Sequence, residues 1–315
     1  MTDYIKRSVS GALILSFAVM ALFRTVDHFA GNVTYPWYAH LISASAVLGT
    51  GILLSVLNDR YGLLPERTQW IIVTYVFLVS CFPQIYGNYK PALAAFLIAA
   101  ATCKLVYSAY VPVTRSGPFL SAFFITCAGL LFFPAFFLYI PFIISYVRLA
   151  KVSGKDMVAF TAGIIVPFFL LLSGMWLLKG DMARLWPNAA ENIHTFAPRD
   201  AFRSLHITQV VLLSYLALLV CASFFIRLVR RDTTTTVTVS RFYGSMFWFL
   251  LFLTGVLIAY PPFAGGIAYL IMVPVSVLIT SLFHERRFPG SKFWLLLLIM
   301  VSLAYYITRL LSLPY

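Results

Sequence analysis

The sequence predicts an all-α polytopic membrane bundle of about eleven helices, because apolar runs of about 20 residues, the length that crosses a bilayer core, recur along it. The composition agrees. Of 315 residues, 61% are hydrophobic and only 10% are charged, where a soluble domain carries about 25% charge. The runs are apolar on every face, which excludes a β-barrel, whose strands alternate apolar and polar residues.

The first run, Ser8–Phe23, follows Lys6 and Arg7 in the manner of a signal peptide. No small-x-small cleavage site precedes Arg24 and further runs follow, so it reads as a retained helix. Tyr38–Leu57, Gln69–Phe82 and Pro91–Tyr110 come next. After an uncharged stretch at Phe119–Val147 follow Met157–Leu178, Ile207–Leu228, Tyr243–Tyr260, Phe263–Phe283 and Phe293–Leu313. Trp37, Trp70, Trp176 and Trp294 stand near run ends, where indole rings prefer the membrane interface. No repeat or Pro/Ser linker divides the chain, so 1–315 reads as a single membrane domain. Pro83, Pro91, Pro112, Pro118, Pro134, Pro141 and Pro167 fall in or beside the helices of its first half. Two outcomes are open for them: simple kinks, or short helices around a cavity.

Charge predicts the topology. Cytoplasmic loops hold the excess of Lys and Arg. With the N-terminus inside, the inner set is Lys6, Arg7, Arg60, Arg67, Arg115, Arg148, Lys151, Lys155, Arg227, Arg230, Arg231, Arg241, Arg286, Arg287 and Lys292. The outer set is Arg24, Lys90, Lys179, Arg184, Arg199, Arg203 and Arg309. Lys104 sits within a run and is expected to snorkel inward. Phe119–Val147 is short for two spans and long for one. A single crossing would exchange the sides of every later loop and abolish the bias. An even number of crossings is therefore expected: two short helices broken near Phe133–Pro134, or a re-entrant hairpin. Either places non-helical backbone at membrane depth, which requires cover by protein or a water-filled cavity. The expected location is a bacterial inner membrane, with the N-terminus cytoplasmic and the C-terminus periplasmic. A net charge of +13 then faces anionic lipid, and nucleic acid is not expected as a partner.

Two loops stand out. Lys179–His206 is the one long polar stretch and reads as an outer-face loop. Trp186, Ala189, Ala190, Ile193 and Phe196 are spaced for an interfacial helix. The Thr233–Thr236 run and the VTVS after it are β-branched, which favours an extended loop or small hairpin. The cysteines Cys81, Cys103, Cys127 and Cys221 lie inside apolar runs without a CxxC pair, so neither a disulfide nor a zinc site is expected.

Candidate chemistry lies on the outer side. Asp27, in FRTVDHFAGN, follows the first run and could accept a proton or meet a sugar hydroxyl. The bland alternative is a solvated loop carboxylate paired weakly with Arg24. His28 is beside it. Arg199 and Arg203, four apart, share a face of any helix there. With Lys90 and Arg184 they could hold a phosphate, or anchor to lipid head groups. His194 joins this set as a substrate contact. His28, His40, His194 and His206 show no HxxxH or HExxH spacing, so no metal ligand set is assigned, although a divalent metal is conceivable. No acidic residue falls in the middle of a run, which weighs against a proton- or cation-coupled transporter. No nucleotide-binding or serine-nucleophile motif is present.

The stretch LNDRYGLLPERTQWIIVTYVFLVSCFP, the run from Lys90 to Leu105 and LLFFPAFFLYIPFIISYVRLAKVSGKD together resemble an uncharacterised family of bacterial multi-pass inner-membrane proteins. That resemblance implies a helix order but no activity. Pro91–Tyr110, the loop with Arg115 and Phe119–Val147 also resemble, more weakly, the membrane core of C-type glycosyltransferases. This implies a polyprenyl-phosphate-linked sugar as donor and an acidic residue of the first outer loop, here Asp27, as catalytic base or metal ligand. The chain departs from that group in lacking an Asp-Asp or Glu-Asp pair and a soluble C-terminal domain. Three functions stay open: a glycosyltransferase-like enzyme using a lipid-linked sugar, a non-catalytic membrane subunit or scaffold of an envelope assembly bound to other membrane proteins, and a lipid or small-solute transporter.

Overall fold

The computed structural model describes residues 9–29, 36–64, 68–82, 87–110, 116–149, 153–177, 207–229, 237–284 and 290–311. Among them are eleven α-helices. They are α1 (Val9–Phe29), α2 (Trp37–Tyr61), α3 (Trp70–Ser80), α4 (Tyr89–Tyr110), α5 (Ser116–Leu131), α6 (Tyr139–Leu149), α7 (Gly154–Leu177), α8 (Ile207–Val229), α9 (Val237–Ala259), α10 (Ala264–Phe283) and α11 (Ser291–Leu311). The all-α bundle expected from the sequence is what the chain forms. Eight helices are long and apolar enough to cross a membrane; α3, α5 and α6 are shorter. Lys179–His206 and its expected interfacial helix lie outside the described residues.

Helix α10 is the axis. Within its span 89% of residues are buried, and it packs against α3, α4, α8, α9 and α11. Helices α1, α7, α8 and α11 are the reverse, with 17–28% of their spans buried. In lipid the apolar effect does not drive helices together, so close van der Waals packing and interhelical hydrogen bonds must. Small residues allow that approach. A β-carbon on Gly117 of α5 would stand 2.8 Å from Ser108 Cβ of α4. One on Gly163 of α7 would meet the Phe119 carbonyl of α5.

The uncharged stretch forms a pair of short helices. Helix α5 stops at Phe132, whose backbone is extended (φ −144°, ψ 101°). A 3-10 helix over Phe133–Leu138, with Pro134 in its first turn, reverses the chain into α6. Gly117, in the first turn of α5, packs on Ser108 near the end of α4. At the other end of the pair, Arg148 of α6 lies beside Gly244 near the start of α9. The Tyr243 hydroxyl in turn reaches the Leu63 carbonyl at 2.8 Å. The stretch therefore enters and leaves at one end of the bundle. Its irregular turn is covered by aromatic rings at the other end: Phe263 lies 5.9 Å from Phe132, and Tyr260 lies 5.4 Å from Phe137. That cover meets the requirement that lipid see no unpaired backbone.

Three expectations change. First, the expected span Gln69–Phe82 runs from the basic end of the bundle to Tyr305 at the other, but its helix α3 has only 11 residues, about half of the hydrocarbon thickness at 1.5 Å per residue. Helices α1, α2 and α10 enclose it. Second, the VTVS segment is the first turn of α9. Its β-branched residues disfavour a helix by well under 1 kcal/mol each, and burial of Val239 and Phe242 outweighs that. Third, most of the described prolines of the first half start helices rather than kink them. Pro91, Pro118 and Pro141 stand in first turns, where the missing N–H has no intrahelical partner to lose. Among the described helices only Pro167 and Pro274 are interior.

The α2–α3 connection is tied by side chains. Gly62 closes α2 in the left-handed conformation (φ 58°), its N–H on the Asn58 carbonyl. Asn58 Oδ1 accepts the Leu64 N–H at 2.7 Å, and Asn58 Nδ2 reaches the Thr68 carbonyl at 3.3 Å. Gln69 Nε2 donates to Asp59 Oδ2 at 2.6 Å, and its Oε1 accepts the Ser55 hydroxyl. Of the described basic residues, Arg60, Lys104, Arg148, Lys155, Arg241 and Lys292 lie toward this end of the bundle, and Arg24 and Lys90 toward the other.

Candidate functional site

The end opposite the basic one holds the carboxylate singled out in the sequence. The sequence predicts Asp27 in a loop after the first span. It stands instead in the last turns of α1, which continues to Phe29. Its side chain is 2% exposed, so it is not the solvated loop residue of the bland expectation. Nothing in FRTVDHF breaks a helix, and at the end of a span the charged residues have no reason to leave it.

Tyr306 of α11 closes over Asp27. The Tyr306 hydroxyl lies 2.6 Å from Asp27 Oδ1 and 3.1 Å from the Phe23 carbonyl. A phenol has one proton, and the shorter, charge-assisted bond to the carboxylate is the stronger. The Phe23 ring meets the Tyr306 ring edge-on at 4.6 Å. Phe82 packs on Tyr305 at 5.3 Å. Asp27 Oδ2 is buried and has no hydrogen-bond partner among the described residues. Arg24, one turn back on α1, is the cation that acts on it. A general base must come within about 2.6–3.2 Å of the proton it takes. In this arrangement the tyrosine occupies that position on Oδ1.

The remaining expected site residues are placed unevenly. Lys90 is exposed in the first turn of α4, toward the same end, and among the described residues no hydrogen bond or ion pair joins it to Asp27. His28 lies in the last turn of α1, its side chain outside the described residues, as are Arg184, His194, Arg199 and Arg203 entirely. Among the described residues no three His, Cys, Asp or Glu side chains converge as a metal site would require.

Two features escaped the sequence. Tyr306 is separated from Asp27 by 279 positions, and a tyrosine in AYYIT carries no sign of a polar partner. The second is a groove of about 340 Å³ between α8, α9 and α10. Val210, Leu213 and Ala217 of α8, Leu250 and Leu257 of α9 and Met272 of α10 are among its walls. Its polar atoms are the hydroxyls of Ser214 and Thr254, and Thr254 spends its proton on the Leu250 carbonyl at 2.8 Å. No charge lines it. From Val210 to Val220 it extends about 15 Å along α8 at 1.5 Å per residue, or half of the hydrocarbon core. It lies in the half of the bundle where α8 begins and α9 ends.

Compared with known proteins, the chain matches no family model, no curated protein and no solved structure.

Proposed function

We propose that this integral membrane protein handles a lipid whose long apolar tail lies in the α8–α9–α10 groove. The observation that carries the proposal is the groove itself. It is formed by helices long and apolar enough to cross a membrane, has no charge among its described lining residues and is about one leaflet long. The groove begins one turn into α8, directly after the polar segment that ends at His206. Phosphate on such a lipid would be met there by Arg184, Arg199 and Arg203, with His194, His28 and Lys90 as further polar contacts. This supports a polyprenyl-phosphate-linked sugar as the lipid, and a glycosyltransferase-like reaction at the periplasmic face of a bacterial inner membrane with Asp27 as base. Reaching Asp27 then requires Tyr306 to swing away.

A photoreactive diazirine in the tail of a polyprenyl phosphate tests the groove. Labelled peptides should map to α8 and α9, and Ala217→Trp should remove the label while the protein still unfolds at the wild-type temperature. Equal labelling of Ala217→Trp rules the groove out.

A non-catalytic role in an envelope assembly is favoured by a different observation, the closed Asp27–Tyr306 contact. Asp27→Asn separates the two. Loss of envelope glycan in cells carrying that folded variant supports the enzyme, and normal glycan in cells whose deletion strain lacks it supports the subunit.

A further inference from the structure

At the basic end, α2 and α4 finish side by side in a cluster of rings and cations. Tyr61, the last residue of α2, packs on Tyr110, the last residue of α4, with ring centroids 4.7 Å apart. The Tyr110 hydroxyl reaches the Tyr61 carbonyl at 3.4 Å. Arg60 lies over the Tyr61 ring at 6.0 Å, and Lys104 Nζ lies over the Tyr107 ring at 5.9 Å. Tyr107 and Tyr110 both stand within electrostatic reach of the Tyr61 phenol. Arg60 and Tyr110 are exposed.

We infer that Arg60, Lys104 and the three tyrosines form a site for the phosphate of an anionic glycerophospholipid. Three observations select that ligand. The first is position: both helices end here, at the depth where head groups lie. The second is uncompensated positive charge. Among the described residues neither cation has an ion-pair partner, and the neighbouring Asp59 carboxylate is engaged by Gln69. The third discriminates against a zwitterionic head group. A choline or ethanolamine ammonium would seek an aromatic face, and the Tyr61 and Tyr107 faces already carry Arg60 and Lys104. A phosphate instead gains charge-assisted hydrogen bonds from guanidinium and ammonium and weaker ones from the phenols. The site is separate from the groove and from Asp27, which belong to the other end and the other half of the bundle.

Native mass spectrometry of the full chain in detergent, titrated with phosphatidylglycerol or phosphatidylcholine, tests the site. Phosphatidylglycerol should be retained about tenfold better, and Arg60→Gln with Lys104→Gln should abolish that preference, since both lipids offer the same phosphate and only the choline ammonium, repelled by the two cations, separates them. Lys104→Gln alone should reduce it by a smaller factor, which keeps the test usable if the double variant folds poorly. Equal retention of the two lipids overturns the site, as does an unchanged preference in Lys104→Gln. Displacement by millimolar inorganic phosphate would identify a free-anion site and overturn the lipid assignment. Glu66 lies in the α2–α3 connection, outside the described residues. If Glu66→Gln alone created the preference, Arg60 would already be neutralised in the native protein and the site would be overturned.

Discussion

Two polar clusters sit at opposite ends of this bundle and are built on opposite plans. Asn58, Asp59, Thr68 and Gln69 knot the α2–α3 connection through partners no more than 14 positions apart. Both polar ends of Asn58 and both of Gln69 are used. Asp27 and Tyr306 join the first and last of the described helices across 279 positions, and one carboxylate oxygen is left over among the described residues. A buried polar group with every bond made is an efficient structural tie, whereas an unmade bond in a low-dielectric interior is costly. The knot reads as architecture. The Asp27 contact leaves a buried carboxylate oxygen that no described residue satisfies.

The largest effect should come from breaking the knot. Asn58→Ala strands the Leu64 N–H and the Thr68 carbonyl together, and about 2–6 kcal/mol should be lost at about 1–3 kcal/mol per buried unpaired group. Reversible unfolding in mixed micelles measures it. A loss equal to that of Tyr306→Phe would erase the contrast between the two ends. Tyr306→Phe keeps the ring against Phe23 and removes one bond, so about 1–2 kcal/mol is expected. If Asp27 takes part in chemistry, this variant should retain or gain turnover while losing stability, because the carboxylate is uncovered.

A smaller quantity sharpens the comparison further. A double-mutant cycle of Asp27→Asn and Tyr306→Phe isolates the bond itself, and interhelical hydrogen bonds in membrane proteins couple by about 0.6 kcal/mol, rarely above 1.7. Coupling near zero would mean that the two side chains are neighbours and not partners. Asp27→Asn alone should cost least, below about 1 kcal/mol, since an amide oxygen still accepts from Tyr306 and its nitrogen removes the charge that burial penalises. A loss above about 3 kcal/mol would place Asp27 with the structural residues.

The same division shows how much could be read in advance. Spans were legible because crossing hydrocarbon demands a run of fixed length. The break at Phe133–Pro134 was legible from charge, since only an even number of crossings keeps the basic loops on one side. Helix ends were less so. Arg24 and Asp27 look like loop residues, yet α1 carries both. VTVS looks extended, yet Val239 is buried in α9. Local preference is worth tenths of a kcal/mol per residue, and packing decides against it. His28, Arg184, His194, Arg199 and Arg203 rest on residue type and order alone.

Solvent, helix number and the evenness of the central hairpin were therefore determined by the sequence itself, through transfer energies summed over twenty residues at a time. Which side chains meet was decided only in the folded bundle. Tyr306 finds Asp27, α8 stands off from α9 to leave a groove, and Arg60 shares a tyrosine cluster with Lys104, because neighbours on separate helices are chosen by packing. A linear pattern holds no record of that choice.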